Sequence, residues 1–155
     1  MTKSEESCGA IISKCKKFRY QLWRKWDNDK PLVMFLMLNP STADATKNDP
    51  TIRRCIGYAR DWGYGGLYVG NLFAYRTAYP KELKDTGYQI GRFNKKHLLN
   101  MQKICDKVIC AWGNKQGIPS RITDIFHELH YLDLAKDGTP KHPLYLKKEL
   151  KPQKL

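Results

Sequence analysis

Two asparagines and a histidine stand where the chain has a reason to hold them still. Asn39 ends the apolar run PLVMFLML and is followed by Pro40, and His142 lies in KDGTPKHPLYL with Pro143 directly after it. A residue that precedes proline is pushed toward extended backbone, so each of these side chains is aimed rather than loose. Asn71 interrupts the apolar stretch LYVGNLF, and Gly113 closes the apolar VICAW. Brought together, an amide, an imidazole and a second amide can orient water, steady a developing oxyanion and read the edge of a flat heterocycle. The plainer reading of Asn39, Ser41 and Thr42 is that they satisfy loop backbone through Asx- and Ser/Thr-turns.

Convergence of these groups needs a scaffold, and the hydrophobic pattern supplies one. FRYQLWRKW alternates, with Phe18, Tyr20, Leu22 and Arg24 on one side, which predicts a half-buried strand. DNDKP reads as a turn and LVMFLML as a strand buried on both faces, close enough in sequence for the two strands to pair as a hairpin. Asp49 is placed to cap a helix with Pro50 at its first position, and Ile52, Cys55, Ile56 and Ala59 share one face of it. WGYGG breaks that helix, and LYVGNLFAY reads as a strand. RTAYPKELKDTGYQIG follows as a loop long enough to be a functional excursion. Asn94 to Cys105 predicts a helix, KVICAW a short buried strand, Pro119 to His130 a helix through Ile122, Ile125, Phe126 and Leu129, and YLDLA a last strand.

Strands and helices alternating in this way predict an α/β fold: a largely parallel central sheet with helices on both faces, in three layers, and an antiparallel N-terminal strand. Ligands of such sheets sit beyond the carboxyl ends of the strands. Asn39, Asn71, Gly113 and His142 all fall at or soon after strand ends, which directs them toward one rim.

The 155 residues suit a single domain, with residues 147–155 as a flexible basic tail. No apolar run reaches the roughly 20 residues of a membrane helix, and the N-terminal MTKSEESCGA is not a secretory signal, so a cytoplasmic protein with no membrane partner is expected. Five cysteines without a C-x-x-C pair argue against a disulfide framework or a zinc ribbon and predict reduced, mostly buried thiols. HELH lacks the histidine spacing of the H-E-x-x-H zinc motif, and no phosphate-binding or dinucleotide-binding glycine motif is present. Neither a metal nor a cofactor is implied.

A formal charge of +13, from 28 Lys and Arg against 15 Asp and Glu, points to a polyanionic partner, with a charge carried for solubility as the alternative. Nucleic acid, in particular DNA, is the expected partner, and the chain is expected to act as a monomer. Arg53, Arg54, Arg76 and Lys141 are the candidates for backbone phosphates, against a reading in which they are solvated surface charge. Phe73, Tyr75, Trp112 and Tyr145 are candidates to lie against a planar ring, although an aromatic at a strand end is more often core. Asp44 is the candidate carboxylate base, Asp49 being better explained as a helix cap.

Two blocks, LNPSTADATKNDPTIRRC with WGYGGLYVGNLFAYR, and AWG with KDGTPKHPLYL, resemble domain-of-unknown-function family 1643 of small bacterial and phage proteins, over Phe18 to Leu146. More distantly, the order of motifs resembles the uracil-DNA glycosylase superfamily. That resemblance implies the three-layer fold. It puts Asn39 of LNPS at the water-positioning position, Asn71 of VGNLF at the base-reading one and His142 of HPLY at the catalytic histidine. Ser41 and Gly113 fall in the base pocket, and Leu144 stands where a loop presses into the minor groove. The chain departs from that pattern in having Asn-Pro-Ser where a glycine is common and Leu144 where a serine usually follows the proline. The implied activity is hydrolysis or other processing of a flipped, modified base in DNA. A non-catalytic module that binds DNA or a modified base, in a phage–host contest, is the alternative.

Overall fold

A computed structural model describes residues 6–155. Among them the strands are β1 (Ser7–Ile12), β2 (Arg19–Lys25), β3 (Leu32–Met37), β4 (Gly66–Asn71), β5 (Lys107–Cys110), β6 (His130–Tyr131) and β7 (Gln153–Lys154). The α-helices are α1 (Pro50–Asp61), α2 (Pro80–Asp85), α3 (Asn94–Ile104) and α4 (Ser120–Thr123). All seven strands join one sheet in the order β1-β2-β4-β3-β5-β6-β7. None of the helices is long and apolar enough to cross a membrane.

The centre of the sheet is parallel: β4, β3, β5 and β6 run the same way. Both edges are antiparallel, β1 and β2 on one side and β7 on the other. The sheet is therefore mixed, not largely parallel. β3 sits in the middle because its side chains are apolar on both faces. Val33, Phe35 and Met37 pack with Ile52, Cys55, Tyr58 and Ala59 of α1. Met34, Leu36 and Leu38 pack instead with Leu98 and Met101 of α3 and with Ile122, Ile125, Phe126 and Leu129. The period of two along one strand thus separates two cores, and each gains roughly 1.5–3 kcal/mol per large side chain buried.

The expected hairpin of the second and third strands does not form. β4 lies between them, antiparallel to β2 and parallel to β3. The loop that joins β2 to β3 straddles the start of β4: Trp26 and Asp27 donate their N–H groups to the Gly65 carbonyl, and Gly65 N–H donates to the Pro31 carbonyl at 2.8 Å. A Cβ on Gly65 would come within 2.0 Å of the Asp27 carbonyl oxygen. The glycines of WGYGG therefore admit a close backbone passage as well as ending a helix. With β1 on one side and β4 on the other, β2 is an interior strand and is largely buried, not half-buried.

Asp49 caps α1 as its position suggested, its Oδ1 accepting from Ile52 N at 2.8 Å. The helix expected from Pro119 to His130 shrinks to the single turn of α4. His130 is taken by β6, where it is buried between Ile109 and Lys154 rather than standing on a helix surface. Ile122, Ile125, Phe126 and Leu129 are buried all the same, which is why they show an apolar period without a helix to match. The cysteines are all free: Cys55 and Cys110 are buried, Cys105 is half-buried, and Cys8 and Cys15 are exposed. Residues 147–155 run past α1, whose Tyr58 hydroxyl donates to the Lys147 carbonyl at 2.6 Å. The indole N–H of Trp62 just beyond it donates to Leu150, and the chain then ends in β7.

Candidate functional site

A cavity of about 480 Å³ opens beyond the carboxyl ends of β3 and β4, a volume suited to a small ligand. Its lining includes Asn39, Ser41, Asn71, Trp112, His142, Leu144 and Tyr145 together with Arg19, Asp49 and Thr51. Chain segments more than a hundred residues apart meet there.

Asn39 is held by both hydrogens of its amide, with Nδ2 donating to the Thr77 carbonyl at 2.8 Å and to the Pro40 carbonyl at 3.1 Å. The Thr77 loop is fixed in turn: Thr77 N–H donates to the Pro40 carbonyl, and the Thr77 hydroxyl donates to Glu82 of α2 at 2.6 Å. The oxygen of the Asn39 amide is left to accept. Asn71 pairs with Met37 in the parallel register of β4 and β3 and is only 1% exposed. Among the described residues, neither its amide nitrogen nor its amide oxygen has a hydrogen-bond partner. Leaving such groups buried and unpaired costs about 1–3 kcal/mol. Its backbone, by contrast, is anchored, the carbonyl accepting from Asn94 Nδ2 at 2.9 Å.

His142 reaches the cavity through Gly113. That glycine has φ +65°, and a Cβ added there would lie 3.3 Å from the His142 Cβ. Both the positive φ and the close approach of the 140–142 segment favour glycine. Gly113 N–H donates to the Pro140 carbonyl at 2.9 Å and completes the seam. His142 then caps the single 3₁₀ turn Pro143–Tyr145, with Nδ1 accepting from Leu144 N at 3.2 Å. An accepting Nδ1 places the ring proton on Nε2. Burial lowers the His142 pKa, with Asp49 opposing, so the ring is a neutral donor near pH 7.

Other candidates stand elsewhere. Asp44 is not in the lining; its Oδ1 accepts from the N–H groups of Lys47 and Thr46 at 2.8 and 3.0 Å, and these bonds lower its pKa. The carboxylate at the cavity is that of Asp49. Phe73 packs against Tyr88, and Tyr75 meets Phe18 edge-on, so neither ring lines the cavity. Trp112 does, with 1% of its surface exposed and its indole N–H donating to the Gln116 carbonyl at 2.7 Å. Gly113 and Lys141 line an adjoining hollow that shares His142 and Tyr145. Lys141 is paired with Asp133 at 2.9 Å. Arg53 and Arg54 border a separate groove beside α1 with Lys148, Arg54 bonding the Leu146 carbonyl, and Arg76 donates to the Lys16 carbonyl at 3.1 Å.

Arg19 was not singled out by the sequence pattern. Because β2 runs antiparallel to β4, its first residue lies beside the carboxyl end of β4, where Arg19 N–H donates to the Ala74 carbonyl at 3.0 Å. In the sequence it is one cation of a basic stretch, Lys14, Lys16, Lys17, Arg19, Arg24 and Lys25, and it stands on the side of the alternation opposite Phe18, Tyr20 and Leu22. Burial lowers its pKa to about 10, with Asp49 partly offsetting this, and leaves it a cation near pH 7.

Residues 19–144 match the family model described as "Protein of unknown function (DUF1643)". The chain belongs to this family. The DUF1643 match begins at Arg19 and ends at Leu144, so it encloses every lining residue of the cavity except Tyr145. No curated protein and no solved structure matches the chain.

Proposed function

We propose that the cavity receives a nucleobase of DNA and that the protein acts on it in the manner of uracil-DNA glycosylases, hydrolysing the N-glycosidic bond of a flipped base. The observation that carries this reading is the Asn71 amide: one donor pair and one acceptor on a cavity-lining residue, buried without a hydrogen-bond partner among the described residues. A planar ring edge that offers a carbonyl and an N–H satisfies both. The Asn39 oxygen orients the attacking water. Water oxygen bonds to the anomeric carbon as the bond from that carbon to the base nitrogen breaks, the electron pair leaving with the base, and the proton that the water sheds ends on the departing base. The Nε2–H of His142 donates to the base oxygen on which charge gathers. A net charge of +13 favours the phosphate backbone that such an enzyme must grip while it offsets the cost of unstacking a base. Packing of α1 against one sheet face and α3 against the other supports the finer architecture, a three-layer α/β/α arrangement.

The test is to incubate the protein with duplexes carrying uracil, mismatched or hypermodified pyrimidines and to look for released base and abasic sites. Release from one substrate is expected, with Asn39→Ala and His142→Ala lowering turnover at least a hundredfold while DNA affinity stays within about threefold. No abasic site across the panel would overturn hydrolysis. A second reading, a non-catalytic base-binding module, is favoured by the commitment of both nearby carboxylates, Asp44 to a turn and Asp49 to the α1 cap. It predicts base-dependent binding without turnover.

A further inference from the structure

Two buried arginines in this fold are treated differently. Arg24, 6% exposed, has five acceptors: Nε donates to Asn48 Oδ1, Nη1 to the carbonyls of Gly9 and Trp23, and Nη2 to those of Asp44 and Lys47. Its charge is spread over polar oxygens and its role is to hold the 44–48 loop. Arg19 is 3% exposed, yet among the described residues it makes a single side-chain hydrogen bond, Nη1 to the Ala43 carbonyl at 3.0 Å. Its Nε is buried without a partner among the same residues. No carboxylate lies within 4 Å of it among the described residues. An unpaired buried cation is among the costliest arrangements in a protein, and it persists where something supplies the missing charge.

Arg19 lines the cavity. Of the charged groups near enough to act on Arg19, Asp49 offsets its charge, while Arg76 and Arg24 oppose it. The Asp49 carboxylate is itself engaged at the N-terminus of α1 through the Ile52 N–H. What remains is a positive excess in one part of a cavity whose other part holds the unpaired Asn71 amide.

We infer that Arg19 forms a phosphate subsite, so that the ligand is a nucleoside phosphate, its base against Asn71 and its phosphate against the Arg19 guanidinium. This rests on the reading of the cavity as a base site and adds the anionic group to it. A guanidinium with no carboxylate within 4 Å among the described residues, and with a single hydrogen bond of its own, keeps donors for phosphate oxygens. The phosphate comes either from a free mononucleotide or from a nucleotide within a strand.

Calorimetric titration of the full chain separates these possibilities. The probes are inorganic phosphate, nucleosides, their 5′- and 3′-monophosphates, and short single strands containing the same base. The monophosphate is expected to bind at least tenfold more tightly than its nucleoside. Arg19→Gln should erase that difference while leaving the nucleoside within about twofold, and Arg19→Lys should restore part of it. Inorganic phosphate should compete with the monophosphate and not with the nucleoside. A greater loss of strand affinity than of monophosphate affinity in Arg19→Gln assigns the phosphate to a nucleic acid, and the reverse assigns it to a free nucleotide.

If nucleoside and monophosphate bind the wild-type chain equally, the Arg19 inference is overturned and the base reading stands. If phosphate binds through Arg19 but Asn71→Ala leaves every affinity unchanged, the base reading falls and the anion site stands. The comparison of nucleoside with monophosphate on the wild-type chain decides the matter even if Arg19→Gln fails to fold.

Discussion

Asn71 is the residue on which structure and function pull in opposite directions. Its amide makes no hydrogen bond among the described residues and leaves a donor and an acceptor unpaired at 1% exposure. Asn71→Leu, close in size and free of polar atoms, is therefore expected to stabilise the protein by about 1–3 kcal/mol while removing base-dependent binding. Urea denaturation reads the first and titration with a base-containing strand the second. Lower stability together with retained binding would show that Asn71 is a packing residue. His142 carries a pH prediction. Burial lowers its pKa, and likewise those of His97 and His130, so the unfolded chain takes up protons that the native chain refuses. Stability is then full above the ordinary histidine pKa of about 6.5 and declines as pH falls below it toward the lowered native values. Denaturation curves at stepped pH check this, and His142→Gln is expected to shrink the decline.

At the scale of elements, local signals were easy to read and partner choice was not. The both-faced apolar run of β3, the Asp49–Pro50 start of α1 and the face of α3 follow from neighbours a few residues away, and they stand in the structure. Which strand lies beside β2 depends instead on β4, some forty residues downstream, slipping between β2 and β3 at Gly65. Apolar spacing in Ile122–Leu129 looked helical because burial against a sheet can imitate helical period over two turns. The candidate site was legible in part for a related reason. Pro40 and Pro143 advertise the residues before them, whereas Arg19 reaches the cavity only through antiparallel pairing that no short window contains. Gly113 is the element-level hinge of the site. Gly113→Ala places a Cβ at φ +65° and 3.3 Å from that of His142. A loss of about 1–2 kcal/mol in stability is expected, together with a fall in turnover or base-dependent binding larger than that loss explains. Thermal melts alongside activity check both; an unchanged site would mean that His142 is positioned by its own turn alone.

Across the whole molecule, the sheet is the scaffold and the proposed chemistry belongs to its rim. Two apolar cores fix the central parallel strands, and the segments leaving their carboxyl ends converge from residues 19 to 145 on one cavity. The chain carries a net charge of +13, and the groove bordered by Arg53, Arg54, Asp61 and Lys148 lies apart from the cavity. On the proposed reading, base recognition in the cavity and charge outside it are separable, so affinity for nucleic acid in general is a poor gauge of the site. The direct measurement compares strands identical except for one base, bound by the wild-type chain and by Asn71→Ala at equal salt. One base is expected to be preferred at least tenfold by the wild type, and the preference is expected to vanish in the variant while overall affinity changes little. Equal binding of every base by the wild type, or a preference that survives in Asn71→Ala, would contradict the account.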